Sequence, residues 1–415
     1  MTVATRTSGS DASVIGLIGA GHFLSHFFIF VLPPLLPLLK DEFGVGYAAL
    51  GLAITLFNVT SAFAQTPAGF LVDRIGPRNL LLGGIALGSL CFAGMALIPA
   101  YWALLAFAAL AGIANSVYHP ADYAVLSAAI SGERMGRAFS LHTFAGYAGG
   151  AAAPLVMALA VSLWDWRAGM LLTAVLGFAV LALLLAGRDR LVGPTRPAGE
   201  TAAAAGDGNG SGLRLLLSAP ILMCFAFFVL ISMSAGGISG FSVAAFIDLH
   251  GLGLNQAQYA LTGFLVGNAA GILVGGWIAD RTAHHERVAM AGFLSTAVII
   301  FLIGQSQLGP AGIVAAMSLA GLLYGLIMPS RDMLVRAVTP EGQTGKVFGF
   351  VTTGFNVGGM LTPLLFGWIM DAGHAQWLFW LAPAFMLIAA GTVLATRAVQ
   401  TGAAVRPSGP VGGQA

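Results

Sequence analysis

The chain has 415 residues, of which 58% are hydrophobic and only 8% charged. Soluble domains carry roughly 25% charged residues, so this composition excludes an ordinary soluble protein. The formal charge of +2 gives no reason to expect a nucleic-acid partner, and two cysteines in apolar runs support no disulfide framework.

In chain order, residues 1–13 are polar and read as a cytoplasmic N-terminus. The first apolar run is too long and too rich in proline for a cleavable signal, so it reads as a retained first span. Apolar runs of about 20 residues, enough to cross a roughly 30 Å hydrocarbon core, recur throughout. They place spans at 14–38, 48–70, 79–98, 102–130, 138–163, 168–186, 216–247, 257–279, 288–306, 311–338, 346–370 and 376–396. The prediction is an all-α membrane protein with twelve transmembrane helices, six in residues 14–186 and six in 214–397. Residues 187–213 are rich in Gly, Pro, Ala and charge, which predicts a cytoplasmic linker. Residues 398–415 have similar composition and are expected to form a disordered cytoplasmic tail.

Basic residues set the expected orientation. Lys40 and Arg167 fall on one side of the membrane and Arg331 lies within a span. The remaining Lys and Arg fall on the other side, which the positive-inside rule makes cytoplasmic, together with both termini.

The two halves repeat. A shift of 209 residues carries Gly112, Pro120, Gly136, Arg137 and Phe139 onto Gly321, Pro329, Gly345, Lys346 and Phe348. It also carries Gly149, Gly150 and Pro154 onto Gly358, Gly359 and Pro363. Secondary transporters are built on such duplications and bind substrate between the repeats near the membrane midplane.

Residues 69–78 read GFLVDRIGPR, and 275–281 read GGWIADR, each after the second span of its half. The first stretch, with Gly69, Asp73, Arg74, Gly76 and Arg78, resembles the signature loop of the major facilitator superfamily, Gly-x-x-x-Asp-Arg-x-Gly-x-Arg. Gly276, Asp280 and Arg281 match it in part. The resemblance covers the whole chain and implies two pseudo-symmetric six-helix bundles. It also implies that this loop latches the bundles in the outward-open state, with glycine permitting close helix approach and the aspartate accepting hydrogen bonds. Within that superfamily the first half looks most like the fosmidomycin-resistance branch of exporters. The likeness rests on SHFFIFVLPPLLPLLKDEFG (25–44), on Gln65 to Gly69, and on the His119-Pro120 step. Two positions depart from the antiporter pattern: Ala108 stands where an arginine is common, and Ala153-Pro154 replaces a Gly-Pro step.

Asn115, Tyr118, His119 and Asp122 are spaced to share one helical face in the fourth span. Pro120 is expected to kink that helix. The repeat sets Tyr324, Met328 and Arg331 against Asn115, His119 and Asp122. An isolated charge at the bilayer centre costs at least about 2.5–3.5 kcal/mol, so Asp122 is expected to pair with Arg331 across the bundles, with Asp332 a second partner for Arg331. His22 and His26 lie one turn apart on the first span, and His142 is on the fifth. With His119 they allow three readings: hydrogen-bonded core histidines, proton handling, or a transition-metal site. No cysteine accompanies them and carboxylates are few, so no metal site is assigned. Asn58, Ser61 and Gln65 on the second span, Asn268 on the eighth, and Thr352 and Asn356 on the eleventh suit a solute path or helix–helix hydrogen bonds.

The resemblance implies a secondary active transporter that moves a small organic solute by alternating access. Proton-coupled efflux across the inner membrane comes first; proton-coupled import of a small carboxylate or vitamin, and a non-transporting receptor on the same fold, are alternatives. No nucleotide-binding loop, catalytic set or cofactor motif is present in the sequence, so neither ATP drive nor an enzyme is expected. The expected partners are a small-molecule substrate, protons and the lipid bilayer, with the chain acting as a monomer.

Overall fold

Inside hydrocarbon a lone segment satisfies its backbone only as a helix, and the apolar runs fold accordingly. The structure, a computed structural model, describes residues 8–191, 214–279, 281–282, 284–339 and 344–404, and these hold helices and turns with no strand. The first half comprises α1 (Ser8–Ile29), α2 (Leu36–Phe43), α3 (Tyr47–Ile75), α4 (Pro77–Leu97), α5 (Tyr101–Asn115), α6 (Tyr118–Ala129), α7 (Gly132–Leu163) and α8 (Trp166–Ala186). The second comprises α9 (Ala219–His250), α10 (Leu254–Ala279), α11 (His285–Gln305), α12 (Pro310–Val338), α13 (Thr344–Asp371) and α14 (Leu378–Ala404). Eleven stretches among the described residues are long and apolar enough to cross a membrane, and α13 is a further helix of 28 residues.

Two spans are interrupted, each for a local reason. Pro33 and Pro34 lack backbone donors, so α1 and α2 are joined through a tight turn at Pro33–Leu35. Pro120 cannot donate to the carbonyl one turn earlier, and the hydrogen-bond ladder of the fourth span is interrupted at Ser116–Val117, between α5 and α6, although both residues keep right-handed helical dihedrals. Its repeat mate Pro329 sits inside an unbroken α12. At the far end α14 continues past Arg397 to Ala404, into the stretch expected to be a disordered tail. Its Ala-rich RAVQTGAA sequence suits a helix. Residues 192–213, most of the expected linker, lie outside the described residues.

The repeat is visible in the packing. A Cβ on Gly112 would strike the Phe57 carbonyl of α3, and one on Gly321 the Phe264 carbonyl of α10. Likewise Gly149 is set against the Phe23 backbone and Gly358 against Ser232 and Val229. Glycine therefore lets the same helix pairs approach closely in both halves. Exposed apolar side chains such as Leu90, Trp102, Leu159 and Val175 remain on the outside of the first half.

The bundles meet at one end. Asp371, closing α13, accepts from the backbone N–H groups of Tyr47 and Ala48 at 2.6 and 2.8 Å, which caps the N-terminus of α3. Along the same line Thr55 donates to the Met360 carbonyl and Asn58 to the Gly359 carbonyl, both at 3.1 Å. Gln258 donates to the Pro34 carbonyl at 3.0 Å. At that end Arg167 also pairs with Glu42. Towards the other end α3 carries exposed Phe63 and Phe70, and a cavity of about 540 Å³ opens between α7, α10 and α12.

Candidate functional site

The polar residues of the fourth span lie on either side of the interruption at Ser116–Val117. Asn115, ending α5, donates to Ser61 of α3 at 3.2 Å. Beyond the interruption α6 places Asp122 in its own bundle, between α1 and α7, where it is wholly buried. His142 of α7 presents Nε2 to Asp122 Oδ2 at 3.0 Å, and His22 of α1 presents Nδ1 to the same oxygen at 3.5 Å. The His22 and His142 rings stack at 3.7 Å, with His26 at 4.7 Å and His119 at 5.2 Å from His22. Four imidazoles thus cluster together, two of them against the Asp122 carboxylate.

Asn115 and Asp122, expected on one face of the span, meet different neighbours: Asn115 meets α3, and Asp122 meets α1 and α7. The expected pairing of Asp122 with Arg331 is absent from this conformation. Arg331 lies on the other bundle with its guanidinium over the rings of Phe228 and Phe355, at 5.0 and 5.2 Å, and Nη1 3.3 Å from Met328 Sδ. Tyr118 is buried and its hydroxyl makes no hydrogen bond among the described residues, while Tyr324 donates to the Ile231 carbonyl at 3.4 Å. The side chain of Asp332 lies outside the described residues.

A second cavity, of about 310 Å³, lies between the bundles just below the closed end. Asn58 and Asn356 line it with Ser232, Ser239 and Thr362, and Phe30 and Phe241 add apolar walls. No charged side chain is among the lining residues described. His26 is one helical turn from Phe30, so the histidine cluster adjoins this cavity along α1. Asn268 is instead buried against α12, beside Gly325.

In the loop after α3, Gly76 turns the chain with φ +84°, a conformation that favours glycine. A Cβ on Gly69 or Gly276 would meet nothing within 4 Å, so neither glycine makes a close helix approach in this conformation, whereas the latch is expected in the outward-open one. That end of the molecule is open, which removes the contact. Arg74 is exposed, Arg78 is half-buried, and Arg281 stacks over Trp277 at 4.2 Å. The side chain of Asp73 and all of Asp280 lie outside the described residues.

Sequence reasoning missed Gly146, Ser239, Thr362 and Asp371. A Cβ on Gly146 would lie 2.7 Å from the His22 ring, so this glycine makes room for the cluster. Its position one turn after His142 is the only signal the sequence carries.

The family model for the Major Facilitator Superfamily matches residues 18–255 and 227–411. The chain belongs to that superfamily. It is therefore a multi-pass membrane transporter of small molecules and not an enzyme. Among similar proteins, the fosmidomycin resistance protein of Escherichia coli (strain K12) is 26% identical over 380 residues, covering 89% of each chain. The membrane sensor protein UhpC of the same organism is 26% identical over 349 residues, covering 80% of this transporter and 79% of the sensor. The fold also matches the crystal structure of a bacterial homolog of the human lysosomal transporter Spinster, in an inward-facing and occupied conformation. That match has a TM-score of 0.78 at 13% identity and covers 95% of this chain and 98% of the other.

Proposed function

We propose that this transporter is a proton-coupled exporter of a small organic solute, acting as a monomer in the inner membrane. The observation that carries the reading is the wholly buried Asp122, hydrogen-bonded to His142 and close to His22, whose ring neighbours His26 and His119. Burying an ionised carboxylate is costly without a compensating charge, and a hydrogen-bonded imidazole is a group that can supply one. A proton held between Asp122 and His142 is the simplest such charge. The cluster adjoins the solute cavity through α1, so proton occupancy and solute occupancy bias the same helix.

The basic-residue rule puts Arg74, Arg78 and Arg134 on the cytoplasmic side and Lys40 and Arg167 outside. On that orientation the closed end faces outward and the open cavity faces the cytoplasm, a state in which an exporter loads and an importer releases. Likeness to a resistance protein is what favours export. The neutral amides, hydroxyls and phenyl rings of the 310 Å³ cavity suit a compact solute with hydrogen-bonding groups and an apolar face.

Proteoliposomes separate coupling from movement. In the His142→Gln variant, accumulation driven by a pH gradient is expected to fall to background while solute counterflow persists. Full gradient-driven accumulation in that variant overturns the coupling role. Likeness to UhpC favours a second reading, a sensor that binds solute without moving it. Solute binding without counterflow in the unaltered chain would establish that reading instead.

A further inference from the structure

The cluster in the first bundle has donor chemistry beyond what a proton needs. His22, Asp122 and His142 each offer a ligand atom, all three within 4.8 Å of one another and all three buried. We propose that these residues form a binding site for a divalent first-row transition cation of the Zn2+ class.

The geometry supports this directly. Zinc binds imidazole nitrogen and carboxylate oxygen at about 2.0–2.2 Å, which sets the edges of a tetrahedral site at about 3.4 Å. The two edges that end on Asp122 Oδ2 measure 3.0 and 3.5 Å. Small rotations of the three side chains therefore suffice to admit a cation. The donors come from α1, α6 and α7, which hold them against one another before any ion arrives.

A structural role alone would leave the spare nitrogens bonded to carbonyls or hydroxyls. Here His22 Nδ1, His119 Nδ1 and Asp122 Oδ1 are buried and make no hydrogen bond among the described residues. His119 and His26, with rings at 5.2 and 4.7 Å from His22, are the candidates for a fourth ligand. Gly146 leaves the His22 ring free of a clash on its α7 side. Two imidazoles and one carboxylate favour zinc, cobalt or nickel over magnesium and calcium, which prefer oxygen alone.

The ligands all belong to one bundle, so a bound cation ties α1, α6 and α7 together without bridging the moving interface. Zn2+ is then expected to suppress pH-driven transport while sparing counterflow. That consequence rests on the proposed proton coupling; binding itself does not.

The test uses the full chain in detergent without a polyhistidine tag, titrated with Co2+. One equivalent should give the visible absorption of a tetrahedral cobalt centre, and Zn2+ should bleach it while Mg2+ does not. The His142→Cys variant should bind as well and add a thiolate-to-cobalt charge-transfer band, which places position 142 in the coordination sphere even if other variants misfold. A His284→Gln, His285→Gln double variant, altered in a loop away from the cluster, should keep the signal. Absence of the cobalt spectrum in folded protein, its loss in the loop variant, or no charge-transfer band with His142→Cys would each overturn the site. Metal binding alongside unimpaired gradient-driven transport in His142→Gln would keep the site and sink the coupling reading alone.

Discussion

Asp122 has two carboxylate oxygens, and only Oδ2 is hydrogen-bonded. Its nearest partners are side chains of its own bundle, although the repeat sets it opposite Arg331. A double-mutant cycle distinguishes the two partnerships. Neighbours that share a hydrogen bond couple by about 0.5–3 kcal/mol, whereas independent sites add to within about 0.5 kcal/mol. Asp122→Asn with His142→Gln should therefore be strongly non-additive in thermal unfolding, and Asp122→Asn with Arg331→Gln close to additive. The reverse pattern would return Asp122 to Arg331. Either single change replaces a bond between ionisable groups by one to a neutral amide, a loss of about 1 kcal/mol.

Among the elements, the proline interruption between α5 and α6 bears most directly on function, because it lies just before Asp122, which sits between α1 and α7. Alanine at position 120 would restore a backbone N–H one turn after Ser116 and favour a continuous span. Proline in a helix interior costs about 3 kcal/mol relative to alanine, although its place in the first turn of α6 reduces that. Pro120→Ala is expected to raise the melting temperature while lowering transport, as Asp122 rotates away from His142. Unchanged transport would show that the interruption does not position the carboxylate. The twelve spans and the all-α class were legible in the sequence because each apolar run is as long as a membrane is thick. Asp122's partner was not. Its place on the helix does not say which neighbouring helix meets it, and the closeness of His22 to His142 is a property of packed helices. The repeat becomes informative again once the contacts are known. Shifting His22, His119, His142 and Gly146 by 209 gives Ile231, Met328, Val351 and Phe355, while Asp122 gives Arg331. One bundle holds an anion among imidazoles, and the other holds a cation over aromatic rings.

For the molecule as a whole, the balance between its two open states depends on what seals the closed end. Asp371 caps a helix of the opposite bundle, so the cap exists only while that end stays shut. Losing an N-cap costs about 0.5–2 kcal/mol, or roughly a 2- to 30-fold change in an equilibrium constant. Asp371→Ala should shift the population by about that factor towards opening at the Asp371 end, read as cysteine labelling inside the 310 Å³ cavity from that side. Labelling that does not change would assign the closure to the other contacts. Each of these seals joins a side chain on one bundle to the peptide backbone of the other: Asp371 to Tyr47 and Ala48, Thr55 to Met360, Asn58 to Gly359, Gln258 to Pro34. Every residue keeps its peptide group when its side chain is exchanged. A comprehensive substitution library would accordingly find the seal written on one partner of each contact. Asp371, Thr55, Asn58 and Gln258 should be intolerant, while their partners stay free to drift wherever packing allows, so the two bundles can diverge in sequence without losing their grip.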